Sequence, residues 1–94
     1  MSAVRWGEHV AIVTGGGTGI GRATALEFAR RGARVLIAGR RAAPLEQTAA
    51  EADGILPVVS DVTSEEGARR VVERAIERWG RIDTLVNNTG MFAA

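Results

Sequence analysis

Apolar residues in this chain gather in short unbroken runs, and between the runs they recur at intervals of three and four. The first run, Val10-Ala11-Ile12-Val13-Thr14, has no polar alternation and reads as a strand buried on both faces. Ile20, Ala23, Leu26, Phe28 and Ala29 then mark a helix over Ile20 to Arg31, which Gly32 stops. A second strand follows over Arg34 to Gly39, and then a helix from about Pro44 to Ala52, with the proline near its first turn. Asp53-Gly54 turns the chain into a third strand, Ile55 to Ser60. Pro57 cannot donate to a ladder, so this strand is expected at an edge. Thr63 and Glu66 have capping-box spacing and open a helix whose apolar residues are Ala68, Val71, Val72, Ala75, Ile76 and Trp79, closed by Gly80. Ile82 to Asn87 is the fourth strand.

Strands that alternate with helices and are apolar on both faces predict an α/β fold, a parallel sheet covered by helices on both sides. Right-handed crossovers give the strand order 3-2-1-4, which is a Rossmann-type sheet truncated to β-α-β-α-β-α-β. No linker, low-complexity tract or repeat divides residues 1–94, and the expectation is a single, incomplete domain. The order sets a topological switch point between strands one and four, and ligands of open α/β sheets bind there, at the carboxyl ends of the strands.

Composition narrows the classes. With 94 residues, the chain makes at most one small domain. Hydrophobic content of 46%, charged content of 24% and a net charge of +1 describe a globular chain and argue against a nucleic-acid binder. There is neither an apolar run long enough to span a bilayer nor a signal-peptide core at the start, so a soluble, cytoplasmic protein is expected. The chain has no cysteine and one histidine, His9, which removes disulfides, thiol catalysis and the usual metal clusters. All twelve basic residues are arginine, and neither lysine nor tyrosine occurs.

Candidate chemistry begins with Thr14-Gly-Gly-Gly-Thr-Gly-Ile-Gly21, which holds five glycines in eight positions between a buried strand and a helix. The free N–H groups and positive pole of the helix attract an anionic pyrophosphate, and glycine lets it approach. Gly15 reads as the turn out of the strand, Gly19 as the point where a side chain would strike the diphosphate, and Gly21 as the packing contact of the helix on strand one. Thr18 offers a hydroxyl to phosphate. Without lysine, the loop is not a nucleotide-triphosphatase P-loop. Past strand two, Gly39-Arg40-Arg41 carries no carboxylate for a ribose hydroxyl, and its guanidiniums suit the extra phosphate of NADP over NAD. Past strand three, Asp61 either accepts from an adenine amino group, with the Val62 backbone against the ring, or supports the next helix. Asn87 and Asn88 either bond across the sheet or hold a ribose, at least one of them being structural.

Together these segments, from about Gly7 to Gly90, resemble the short-chain dehydrogenase/reductase family. Its Thr-Gly-x-x-x-Gly-x-Gly signature appears as Thr14 to Gly21, its adenine-contacting aspartate as Asp61, and its Asn-Asn-Ala-Gly as Asn87-Asn88-Thr89-Gly90. Thr89 departs from the pattern, a hydroxyl standing where the family has a methyl near the ribose. The resemblance implies a cofactor-binding set of Gly15, Gly17, Thr18, Gly19, Ile20, Gly21, Arg40, Arg41, Asp61, Val62, Asn88 and Gly90, with no catalytic and no metal-binding residue. It also implies hydride transfer between NADP(H) and a small carbonyl or alcohol substrate in a complete chain, with a homo-oligomer as the expected state. The family's proton relay uses a serine and a Tyr-x-x-x-Lys pair, and a chain without tyrosine or lysine cannot supply it. The alternative is a non-catalytic dinucleotide-binding module. A methyltransferase fits less well, because Gly39-Arg40 offers no acidic ribose partner.

Overall fold

The structure, a computed structural model, describes residues 4–88. After a 3-10 turn at Trp6–Glu8 come β1 (Val10–Thr14), α1 (Gly19–Arg30), β2 (Arg34–Gly39), α2 (Ala42–Ala49), β3 (Ile55–Val59), α3 (Glu65–Trp79) and β4 (Thr84–Val86). The four strands form one parallel sheet in the order β3-β2-β1-β4, as the alternation of runs predicts. Ile12 stands opposite Leu36 and Leu85, and Val13 opposite Ile37 and Val86.

Successive residues of the two central strands feed opposite faces, because side chains alternate along a strand. Val13, Val35 and Ile37 pack with Ala25, Ala29 and Leu45, which sets α1 and α2 on one side. Ile12, Leu36 and Ala38 pack with Val58, Val71 and Ala75, which sets α3 on the other. Ile12, Leu36, Ile37 and Leu45 are fully buried, and each contributes about 1.5–3 kcal/mol through the apolar surface it removes from water. β1 is buried at every position, which is why its sequence shows no polar alternation.

The ends of the elements follow local chemistry. Gly80 closes α3 with φ +78°, and its N–H donates to the Ile76 carbonyl at 2.8 Å, the left-handed stop that glycine takes at low cost. The start of α3 corrects the capping-box expectation. Ser64 is the cap, and its hydroxyl oxygen accepts from the Gly67 N–H at 2.9 Å. Thr63 is diverted, donating its hydroxyl to Asp61 Oδ1. α2 begins two residues earlier than the proline suggests and ends at Ala49; Pro44 sits third in the helix, where its missing N–H has no intrahelical partner to lose. β4 is shorter than the predicted Ile82 to Asn87, and just before it the Asp83 carboxylate accepts from Arg81 and from the Val10 N–H.

β3 lies at the edge, as Pro57 predicts. The Ser60 N–H donates to the Gly39 carbonyl at 2.8 Å, so by alternation the amides of Leu56 and Val58 also face β2, and the Pro57 nitrogen faces outward. At the other margin the Asp83 N–H donates to the Val10 carbonyl, which leaves the N–H groups of Thr84 and Val86 facing away from β1. No helix among the described residues is long and apolar enough to cross a membrane.

Candidate functional site

The carboxyl ends of the strands converge on the glycine loop. Gly15 leaves β1 with φ +68°, and its N–H donates to the Ala38 carbonyl at 2.8 Å, which ties the turn to β2. Gly21 stands where the first turn of α1 rides over that turn: a Cβ there would collide with the Gly15 carbonyl oxygen and lie 2.8 Å from Asn88 Nδ2. Gly19 differs, with φ +55° and nothing within 4 Å of the position its Cβ would take. Its bare backbone borders open space at the positive pole of α1, the geometry an oxyanion needs. Thr18 is the residue preceding α1, yet its side chain makes no capping bond, so its hydroxyl is uncommitted among the described residues.

A cleft of about 130 Å³ runs from this loop to the end of β2. Gly15, Gly17 and Thr18 line one wall, Gly39, Arg40 and Arg41 the other, and Pro44 and Leu45 the floor. Gly17 is excluded from bearing a side chain by Pro44, whose Cβ lies 2.8 Å from where its own would be. Arg40 and Arg41 are both exposed, and Arg41 is the residue that precedes α2. The structure therefore brings the glycine loop and the paired arginines together in one concavity. Ile20 is 74% exposed beside the loop, an apolar side chain left at the surface next to the cleft.

Asp61 lies in the turn that precedes α3. Its Oδ1 accepts from the Thr63 hydroxyl at 2.5 Å and from the Thr63 N–H at 3.0 Å, while its carbonyl accepts from Ser64. The Thr63 hydroxyl, then the Thr63 N–H, and to a smaller degree the Arg40 guanidinium hold the Asp61 carboxyl below the usual carboxylate range. It remains an exposed anion that interacts electrostatically with Arg40. Val62 is half-buried against the α3 face of the sheet.

Thr14, at the end of β1, is the residue whose role the sequence does not announce. Its buried hydroxyl oxygen accepts the Asn88 N–H at 2.8 Å, and its proton lies between Asn87 Oδ1 at 3.1 Å and the Val86 carbonyl at 3.4 Å. One hydroxyl thus fastens the end of β4 to the end of β1 and holds Asn88 against Gly15 and Gly21. Gly16 is a second unannounced position, because a Cβ would fall 2.5 Å from Ile37 Cβ. Gly90 and Thr89 lie outside the described residues.

Comparison with known proteins agrees with this geometry. The family model for short chain dehydrogenase matches residues 9–94. A short-chain dehydrogenase/reductase of Cladobotryum sp is 46% identical over 89 residues, covering 89% of this chain and 34% of that protein. The crystal structure of glucose dehydrogenase of Caenorhabditis elegans in the apo-form superposes with a TM-score of 0.85 at 44% identity, covering 95% of this chain and 40% of that one. That of 3-ketoacyl-(acyl-carrier-protein) reductase from Brucella melitensis, complexed with NADH, gives 0.78 at 38% identity, covering 82% and 32%. The chain spans about a third of the length of the curated relatives it matches. A glycine loop at the switch point of a 3-2-1-4 sheet and a family match over nearly all of its length lead to one conclusion: the chain belongs to the short-chain dehydrogenase family.

Proposed function

We propose that this chain is the NADP-binding amino-terminal portion of a short-chain dehydrogenase/reductase. The observation that carries the proposal is the cleft in which Gly15, Gly17 and Thr18 face Arg40 and Arg41. The cradle fits a dinucleotide: open space over Gly19, an uncommitted hydroxyl on Thr18 and two guanidiniums at the far wall. On this reading the α1 amino terminus takes the diphosphate, Arg40 and Arg41 take the 2′-phosphate, Asp61 and Val62 border the adenine, and Asn88 and Gly90 border a ribose. Thr14 positions Asn88 rather than touching the cofactor.

When bound, the cofactor supplies a hydride to, or removes one from, a carbonyl or alcohol carbon. This chain's own residues bind and orient. They supply no proton relay, since tyrosine and lysine are absent, so turnover requires groups that these 94 residues do not contain. A small carbonyl or alcohol is the substrate class, and the complete protein is a homo-oligomer located in the cytoplasm.

The cofactor choice rests on Arg40. Charge-assisted bonds to the 2′-phosphate are worth roughly 1.5–3 kcal/mol after desolvation, a preference for NADP of about ten- to a hundredfold. Dissociation constants for NADP and NAD, measured for the parent and for Arg40→Ala, test this. The expected result is a loss of NADP affinity with NAD affinity unchanged. Equal affinities in the parent overturn the NADP assignment.

A further inference from the structure

The amino-terminal ends of the strands carry a second concavity, at the opposite end of the sheet from the glycine loop. Arg34 opens β2, Gly54, Ile55 and Leu56 lead into β3, and Arg78 and Trp79 end α3; together they line an open cleft of about 340 Å³. None of these six residues is acidic. Neither guanidinium has a hydrogen-bond or ion-pair partner on a side chain among the described residues, whereas Arg22, Arg31, Arg69, Arg74 and Arg81 each face a carboxylate. Arg78 lies over the Trp79 ring, 6.0 Å from its centroid, and the half-buried indole is anchored in the core on the α3 side.

Part of this charge has a structural use. Arg78 is in the last turn of α3, where a cation balances the negative pole of the helix. Arg34 begins a strand, and sheets have only small net dipoles, so its charge is surplus. An adjoining cleft of about 280 Å³ shares Arg34 and Trp79 but adds Glu8 and Arg81. Arg81 is already held by two bonds to Asp83, at 2.9 and 2.8 Å, and the Glu8 carboxylate repels an anion. An anionic group is thereby confined to the Arg34–Arg78 side.

We propose that this cleft binds an aromatic anion, a flat ring carrying a phosphate or carboxylate. The forks of Arg34 and Arg78 match an oxyanion in charge and shape, and the ring lies against Trp79 with Leu56, on the same face of the sheet, as apolar floor. The site is independent of the dinucleotide proposal, sharing no residue with it.

In Trp6→Phe, Trp79 is the sole indole of the chain, and its N–H signal in NMR reports the cleft directly. Titration with phenyl phosphate is expected to shift that signal saturably. Arg34→Gln and Arg78→Gln, both at exposed positions, each weaken binding about tenfold, the usual cost of a lost charge-assisted bond. Arg69→Gln, whose guanidinium pairs with Glu65 outside the cleft, leaves it unchanged. Benzoate is expected to compete for the same signal, and the tighter of the two names the oxyanion. The proposal is overturned by the absence of a saturable shift, by inorganic phosphate binding as tightly as phenyl phosphate, or by an equal loss in Arg69→Gln. The amide spectrum of each variant separates lost binding from lost fold.

Discussion

Replacing Gly21 by alanine sets two known effects against each other. Helix propensity alone favours alanine by about 1 kcal/mol in a helix interior. The structure opposes it. The new Cβ would run into the Gly15 carbonyl oxygen, and that oxygen belongs to a turn pinned by the Gly15 N–H bond to Ala38 at 2.8 Å. The second obstacle, Asn88 Nδ2 at 2.8 Å, is the end of a side chain whose backbone is tied to Thr14 through the Asn88 N–H, and it can yield by turning. The Gly15 carbonyl is backbone and cannot turn aside, so the cost falls toward the upper part of the roughly 1–3 kcal/mol range for overpacking. The expected net loss is about 1–2 kcal/mol, which in a domain of this size lowers the thermal midpoint by roughly 4–16 °C. Thermal and urea unfolding followed by circular dichroism measure it. Gly19→Ala is the control: its φ of +55° costs about 1–2 kcal/mol of backbone strain, but its Cβ meets nothing. If Gly21→Ala is as stable as the parent or more so, the close approach of α1 to the turn is not what fixes glycine there.

Three further outcomes are expected. Gly19→Val, with its side chain projecting into the open cradle, should abolish dinucleotide binding while keeping most of the far-ultraviolet circular dichroism; retained affinity in a fluorescence titration would show that the loop is no phosphate cradle. The Asp83 carboxyl is held below the usual range first by Arg81, then by the Val10 N–H and further by the charges of Arg81 and His9. Its contribution to stability is therefore complete above the unfolded aspartate value and is lost as pH falls through the lower folded value, so Asp83→Asn should flatten the stability profile on the acid side of about pH 4, with a parallel profile refuting the assignment. Ser64→Ala removes the cap of α3 and should cost about 1 kcal/mol in urea unfolding; Thr63→Ala leaves that bond intact, and an equal or larger loss there would return the cap to Thr63.

The architecture was legible wherever a local signal met a local cause. β1 and β2 have the bounds that their apolar runs predict, Gly32 and Gly80 stop helices with positive φ, and Pro57 marks the edge. Misreadings arose where two residues of like chemistry competed. Thr63 and Ser64 are both capping residues, and Glu66 at capping-box spacing points to Thr63, but Asp61 captures the Thr63 hydroxyl and the helix starts one residue later. The site was legible as a set of motifs and illegible as a set of contacts. Nothing near Thr14 announces that its hydroxyl receives the Asn88 N–H from 74 positions away, nor does anything near Gly16 announce that Ile37 blocks a Cβ. Such constraints come from pairing between distant strands, which no local window contains.

The two margins of the sheet are unequal, and the inequality gives the sheet a direction of growth. At β3, Pro57 deletes the middle donor of the outward row, so an incoming strand would find a gap at the centre of its ladder. At β4, the outward N–H groups of Thr84 and Val86 are in place, and Leu85 is 62% exposed beside them. Any strand added to this sheet, whether from the same chain or from another molecule, is directed to the β4 side. That side adjoins Asn88, so whatever docks there arrives next to the glycine loop, while the proline margin stays closed to it.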